Sequence, residues 1–113
     1  MNEQKIICML RSLGITRCYR GTSFALAGIQ LVLENEDCLQ NVIRDIYCVI
    51  AQRHQCNWHA VERSLRTVIR RAWQINPQLL CAMAGYPLDG PPSASQFLEI
   101  AASCLLRQEG RSA

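Results

Sequence analysis

This 113-residue chain contains seven cysteines but no Cys-x-x-Cys or Cys-x₂₋₄-Cys pair. Cys8, Cys18, Cys38, Cys48, Cys56, Cys81 and Cys104 stand eight or more residues apart, which excludes zinc-ribbon and zinc-finger spacings. Their number is odd, and Met1 to Leu13 mixes charges with apolar residues instead of forming a secretory leader. The thiols therefore read as free and buried, in a reducing cytoplasm. No apolar run approaches the roughly 18 residues that a membrane span needs. Gly-rich phosphate loops, closely paired carboxylates and nucleophile motifs are missing. Cys56 with His54 or His59 is the one nucleophile-and-base pairing to weigh, and it reads as a turn cysteine near two exposed histidines. An enzyme, a cofactor and a metal site are not expected. Aromatics are scarce, with two Phe, two Trp and three Tyr, so Leu, Ile, Val and Ala must fill the core. Strand-type alternation and internal repeats are absent as well, which leaves an all-α chain.

The net charge of +3 is mild, but its distribution is not. Basic and acidic groups cancel over residues 1–52, and residues 72–113 carry a deficit of one. The positive balance comes from residues 53–71, where Arg53, Arg63, Arg66, Arg70 and Arg71 face Glu62 alone. All five are arginine, the residue that binds phosphates bidentately and reads guanine edges.

The apolar periodicity gives six helices, one domain over residues 1–108 and a frayed tail at 109–113. The first runs from Glu3 to Leu13, with Ile6, Ile7, Met9, Leu10 and Leu13 inward and Gly14 as its C-terminal cap. Arg17 and Arg20 sit in the following joint as further phosphate-contact candidates. Thr22 or Ser23 caps the second helix. An acidic turn, Glu34 to Asp37, leads into a third over Cys38 to Arg53, with Leu39, Val42, Ile43, Ile46, Tyr47, Val49 and Ile50 inward. After a short joint, Asn57 caps the fourth helix. Asn76-Pro77 opens a fifth, Pro77 to Ala84, closed by Gly85. Ser93-Ala94-Ser95-Gln96 forms a capping box ahead of the sixth.

The fourth helix carries two stripes. Val61, Leu65, Val68, Ile69, Ala72 and Trp73 share one face at the 3.6-residue period. On the other side His59, Arg63, Arg66 and Arg70 fall within about 60° of one another, at about 100° per residue. A helix anchored by one face and presenting guanidinium groups on the other suits a polyanion, and two helices joined by a short turn make a helix-turn-helix. Asn57 reads first as a cap and second as a base contact. Glu62 either accepts from a cytosine amino group or pairs with Arg66 one turn on. Trp58, Trp73 and Tyr86 read as packing residues.

The stretch V-E-R-x-x-R-x-x-I-x-x-A-W, Val61 to Trp73, resembles the C-terminal effector domain of the sporulation stage-zero response regulator of endospore-forming Firmicutes. Leu13-Gly14-Ile15, Gly21, Ile50-Ala51, Gly85-Tyr86 and the segment from Pro92 to Phe97 occupy corresponding places, so the likeness covers residues 11 to 108. The resemblance implies a six-helix transcription-factor domain whose third and fourth helices form the helix-turn-helix. It implies double-stranded DNA as partner, the fourth helix in the major groove, homodimeric pairing on tandem sites, contact with RNA polymerase or a related regulator, and a place in the nucleoid. Matched by position, Glu62, Arg63 and Arg66 coincide with polar residues of the family's recognition helix, and Arg53 with a basic residue ending the preceding one. His59, Arg70 and Arg71 are added as contacts from the charge pattern. Two departures stand out. His59-Ala60 replaces the family's Ser-Arg before the V-E-R triplet, and Ala60 cannot make the bidentate guanine contact, which is worth about 1–3 kcal/mol of discrimination. The expected chain also has no receiver domain. An alternative reading follows from both, an interaction module that pairs with and modulates a full-length relative.

Overall fold

The computed structural model describes residues 3–16 and 20–112, with side chains to position 109. Arg17 and Cys18 lie outside the described residues. The architecture is all-α, with no strand among the described residues. Helix α1 spans Glu3–Ser12 and buries Ile6, Ile7 and Leu10. Gly14 takes a left-handed φ of 84°, and the closing bonds run from Gly14 N–H to the Arg11 carbonyl and from Ile15 N–H to the Leu10 carbonyl, each 2.9 Å. This double closure satisfies carbonyls that the helix end would otherwise leave unpaired.

Helix α2, Arg20–Glu34, starts before the expected caps. Thr22 is buried inside its first turn, and its hydroxyl donates to the Thr16 carbonyl, so it fastens the preceding joint and does not cap the helix. α2 runs through the centre of the molecule, packed against α4 (Trp58–Ile75) and α6 (Ala94–Ser112). Gly21 permits the first crossing: a Cβ there would lie 2.5 Å from the Ser64 carbonyl oxygen of α4.

The third helix is not uniform. A 3₁₀ stretch, Glu36–Asn41, begins at Asn35, whose side chain accepts from Asp37 N–H at 3.1 Å. A π-helical stretch, Ile43–Tyr47, leads into α3, Cys48–Arg53. The Asn41 side chain accepts from Arg44 N–H at 3.2 Å, a local bond that competes with the regular ladder. The wide turn, closed by Cys48 N–H to the Ile43 carbonyl, adds a residue and changes the phase of the helix. Ile43, expected inward, is consequently 46% exposed, while Cys38, Ile46, Tyr47, Ile50 and Ala51 are buried. Leu39, Val42 and Val49 are half-buried.

Helix α5, Pro77–Ala84, has the expected ends: Asn76 accepts from Leu79 N–H at 3.2 Å, and Gly85 takes φ 84°. At α6 only half of the capping box forms. Ser93 Oγ accepts from Gln96 N–H at 3.2 Å, but the Gln96 amide donates to the Tyr86 hydroxyl at 3.1 Å. Tyr86 is 48% exposed and is therefore a surface bridge, not a packing residue. α6 buries Phe97, Leu98, Ile100, Ala101, Cys104 and Leu105, and its backbone stays helical to Ser112, through most of the stretch read as a frayed tail. Among the described residues no helix is long and apolar enough to cross a membrane.

Candidate nucleic-acid interface

The candidate interface is built on α4. Its inner face, Val61, Leu65, Val68, Ile69 and Ala72, is buried, and Trp58 and Trp73 pack half-buried against the same core. Full burial of the Val, Leu and Ile side chains contributes about 1.5–3 kcal/mol each. The core thus fixes the helix, and its outer face is left free for another purpose. Asn57, in extended conformation, accepts from His59 N–H at 2.8 Å and caps the helix as expected.

His59, Arg63, Arg66 and Arg70 are all exposed along that outer face, and Arg71 is exposed beside it. Arg53 is exposed at the end of α3, before the turn that delivers α4. Glu62 is half-buried and accepts from an Nη of Arg66, so the acid pairs along the helix as one of its two readings held. That bond engages one of the five N–H donors of Arg66 and leaves the others for a ligand.

The N-terminal end of α4 is steadied by an aromatic column. Tyr47 stacks on Trp58 with ring centroids 6.2 Å apart, and Trp58 stacks on His59 at 3.7 Å. The His59 imidazole is therefore laid on an indole face at the start of the row. Burial pushes the Tyr47 phenol up to about 12, aided by the Glu62 carboxylate and opposed by Arg66. The other histidine, His54, meets Phe24 edge-on at 5.0 Å. Both imidazoles are thus engaged with aromatic rings, and Cys56 has its N–H bound to the Ala51 carbonyl at 2.9 Å.

Thr67 and Gln74 were missed in the sequence. Both are exposed, and at about 100° per residue they lie about 40° and 20° from Arg63, on the charged face. The same periodicity would have found them had uncharged residues been counted. Thr67 Oγ1 donates to the Arg63 carbonyl at 3.1 Å, which anchors its side chain to the helix. Arg20, a weaker candidate, lies over the Phe24 ring at 5.4 Å. The thiols differ from their expected burial. Cys38 and Cys104 are buried, Cys56 and Cys81 half-buried, and Cys8 and Cys48 exposed. Among the described residues no group of His, Cys, Asp and Glu is placed to hold a metal ion.

α4 thus has its core face buried, a capped start and a guanidinium row outward, and it follows a short turn. The family model described as Sporulation initiation factor Spo0A C terminal matches residues 6–105. The chain belongs to this family. It is a DNA-binding effector domain of the sporulation regulator, a transcription-regulator family and not an enzyme family. Within this Spo0A C-terminal domain, α3 and α4 are the helix-turn-helix pair. The family match spans nearly the same residues as the likeness read from the V-E-R helix and its flanking glycines.

Proposed function

We propose that the domain is a sequence-specific transcription regulator that inserts α4 into the major groove. Arg63 and Arg66 stand nearest the base edges, with Asn57, His59 and Glu62 at the helix start. Arg53, Arg70 and Arg71 bind backbone phosphates. The observation that carries this reading is the exposed row His59, Arg63, Arg66 and Arg70 on a helix whose opposite face is locked in the core. Pairing of two copies on tandem sites, contact with RNA polymerase and residence in the nucleoid belong to the same reading. Ala60 takes the place of a base-reading arginine, so the preferred sequence differs from the family's usual site.

Duplex affinity measured against salt tests it. The logarithm of the binding constant should fall with log salt at about −0.9 per phosphate neutralised, and Arg63→Ala with Arg66→Ala should abolish binding. Absence of salt-dependent duplex binding at low ionic strength would overturn the reading. It would favour the rival, an interaction module that pairs with a full-length relative.

A further inference from the structure

Beside α4 lies a cleft of about 530 Å³ with walls from distant parts of the chain. Arg66 and Arg70 form one side, and residues 91–95, the turn before α6 with its first two residues, form the other. Glu62 also lines it, but its carboxylate is already engaged by Arg66, so Arg70 leaves the cleft with a net positive charge. Pro91 and Pro92 stiffen the far wall, because their rings fix φ. Ser93 Oγ is committed to Gln96 N–H and lies 3.4 Å from Ser95 Oγ. Ser95 is half-buried at the cleft and is not part of the arginine helix.

Dimensions decide what such a cleft meets. An α-helix with its side chains is about 10–12 Å across, and the major groove of B-DNA is about 12 Å wide. A helix seated there fills the groove. Any protein surface flanking it at the same level stands over a phosphate ridge and not over bases. We propose that this cleft seats one backbone phosphate of the strand bordering the groove, held by the Arg70 guanidinium and by the hydroxyl of Ser95. The inference rests on the groove reading of α4 and adds a second element, the start of α6, to the DNA-binding surface. The contact would set register and affinity without reading sequence.

The test uses Ser95→Asp, which places a carboxylate in the cleft while remaining favourable to the first turn of α6. Ser103→Asp is the control. It makes the same charge change on an exposed position of the same helix, in a separate depression beside Glu99. Binding of the full chain is measured on its selected duplex and on a series in which single phosphates are replaced by neutral methylphosphonates. Ser95→Asp should weaken binding about tenfold with the preferred sequence unchanged, and Ser103→Asp by less than about threefold. One bordering phosphate should matter to the wild-type chain, and its neutralisation should cost Ser95→Asp nothing or strengthen its binding, because the carboxylate's repulsion goes with the charge. Equal losses in the two variants, or no phosphate whose effect disappears or reverses, would overturn the cleft assignment while leaving α4 in the groove. A wild-type chain with no salt-dependent duplex binding would instead remove the groove reading and the cleft with it.

Discussion

Glu62 and Arg66 sit one turn apart on α4, and the guanidinium of Arg66 donates to the Glu62 carboxylate on the exposed face of the helix. An acid four residues before a base is the favourable orientation for such a pair, yet on a surface it contributes only about 0.2–0.5 kcal/mol. A phosphate or a guanine edge can therefore displace it. On the proposed reading of α4, Glu62 restrains the arginine between encounters with DNA and subtracts one positive charge from the row. Glu62→Gln should then raise affinity for arbitrary duplex by roughly threefold to tenfold at low salt, and steepen the salt dependence. Fluorescence anisotropy at several ionic strengths would measure both. A loss of affinity on one preferred sequence alone would show instead that Glu62 accepts from a cytosine.

Tyr47, buried at the end of the π-helical stretch, ties stability to pH. Burial raises its phenol from the ordinary 10.0 to about 12, with the Glu62 carboxylate adding to the shift. A raised value means that the folded state favours the protonated phenol. The stabilisation is fully present below about pH 10, and it is lost as pH rises through the window to about 12. Urea midpoints of the wild-type domain should fall more steeply across that window than those of Tyr47→Phe. Parallel curves would show that ionisation of Tyr47 is not coupled to unfolding.

The parts that were legible in the sequence are those set by local chemistry. Val61, Leu65, Val68, Ile69 and Ala72 repeat at helical spacing and are the buried face of α4. Asn57, Asn76, Gly14 and Gly85 end or begin helices where their side-chain oxygens or positive φ are used. The misread parts depend on bonds between segments or on competition within one. Thr22 was open to a capping role, but its hydroxyl fastens a joint six residues back. Gln96 had the spacing of a box, but its amide reaches Tyr86. Asn41 offers Arg44 N–H a side-chain acceptor and begins the wide turn that exposes Ile43. The cleft was invisible because Arg70 and Ser95 come together only through the packing of α6 beside α4.

Gly21 sets how closely α2 and α4 cross. A methyl group there would meet the Ser64 carbonyl oxygen at 2.5 Å and Val68 Cγ1 at 2.8 Å. The nearest obstacle is backbone and cannot rotate away. Gly21→Ala should cost about 1–3 kcal/mol in urea unfolding, the range for overpacked sites, and should weaken duplex binding by displacing α4. A change under about 0.5 kcal/mol would mean that the two helices separate without strain.

Gln55 holds the turn of the helix-turn-helix in a conformation suited to glycine. Its φ is 54°, the one positive value among the described non-glycine residues. The bonds from Gln55 N–H to the Gln52 carbonyl and from Cys56 N–H to the Ala51 carbonyl close α3 around it. A left-handed residue with a Cβ costs about 1–2 kcal/mol, and glycine avoids that cost at an entropic penalty of about 0.5–1 kcal/mol. Gln55→Gly should thus stabilise the domain by roughly 0.5–1 kcal/mol, seen as a higher urea midpoint with an unchanged slope. Gln55→Val, branched at Cβ, should destabilise it by more than about 1 kcal/mol. Neither change touches the arginine row, so the salt dependence of duplex binding should stay that of the wild-type chain wherever the domain is folded. A destabilised Gln55→Gly would show that the Gln55 side chain contributes more to this turn than its backbone strain costs.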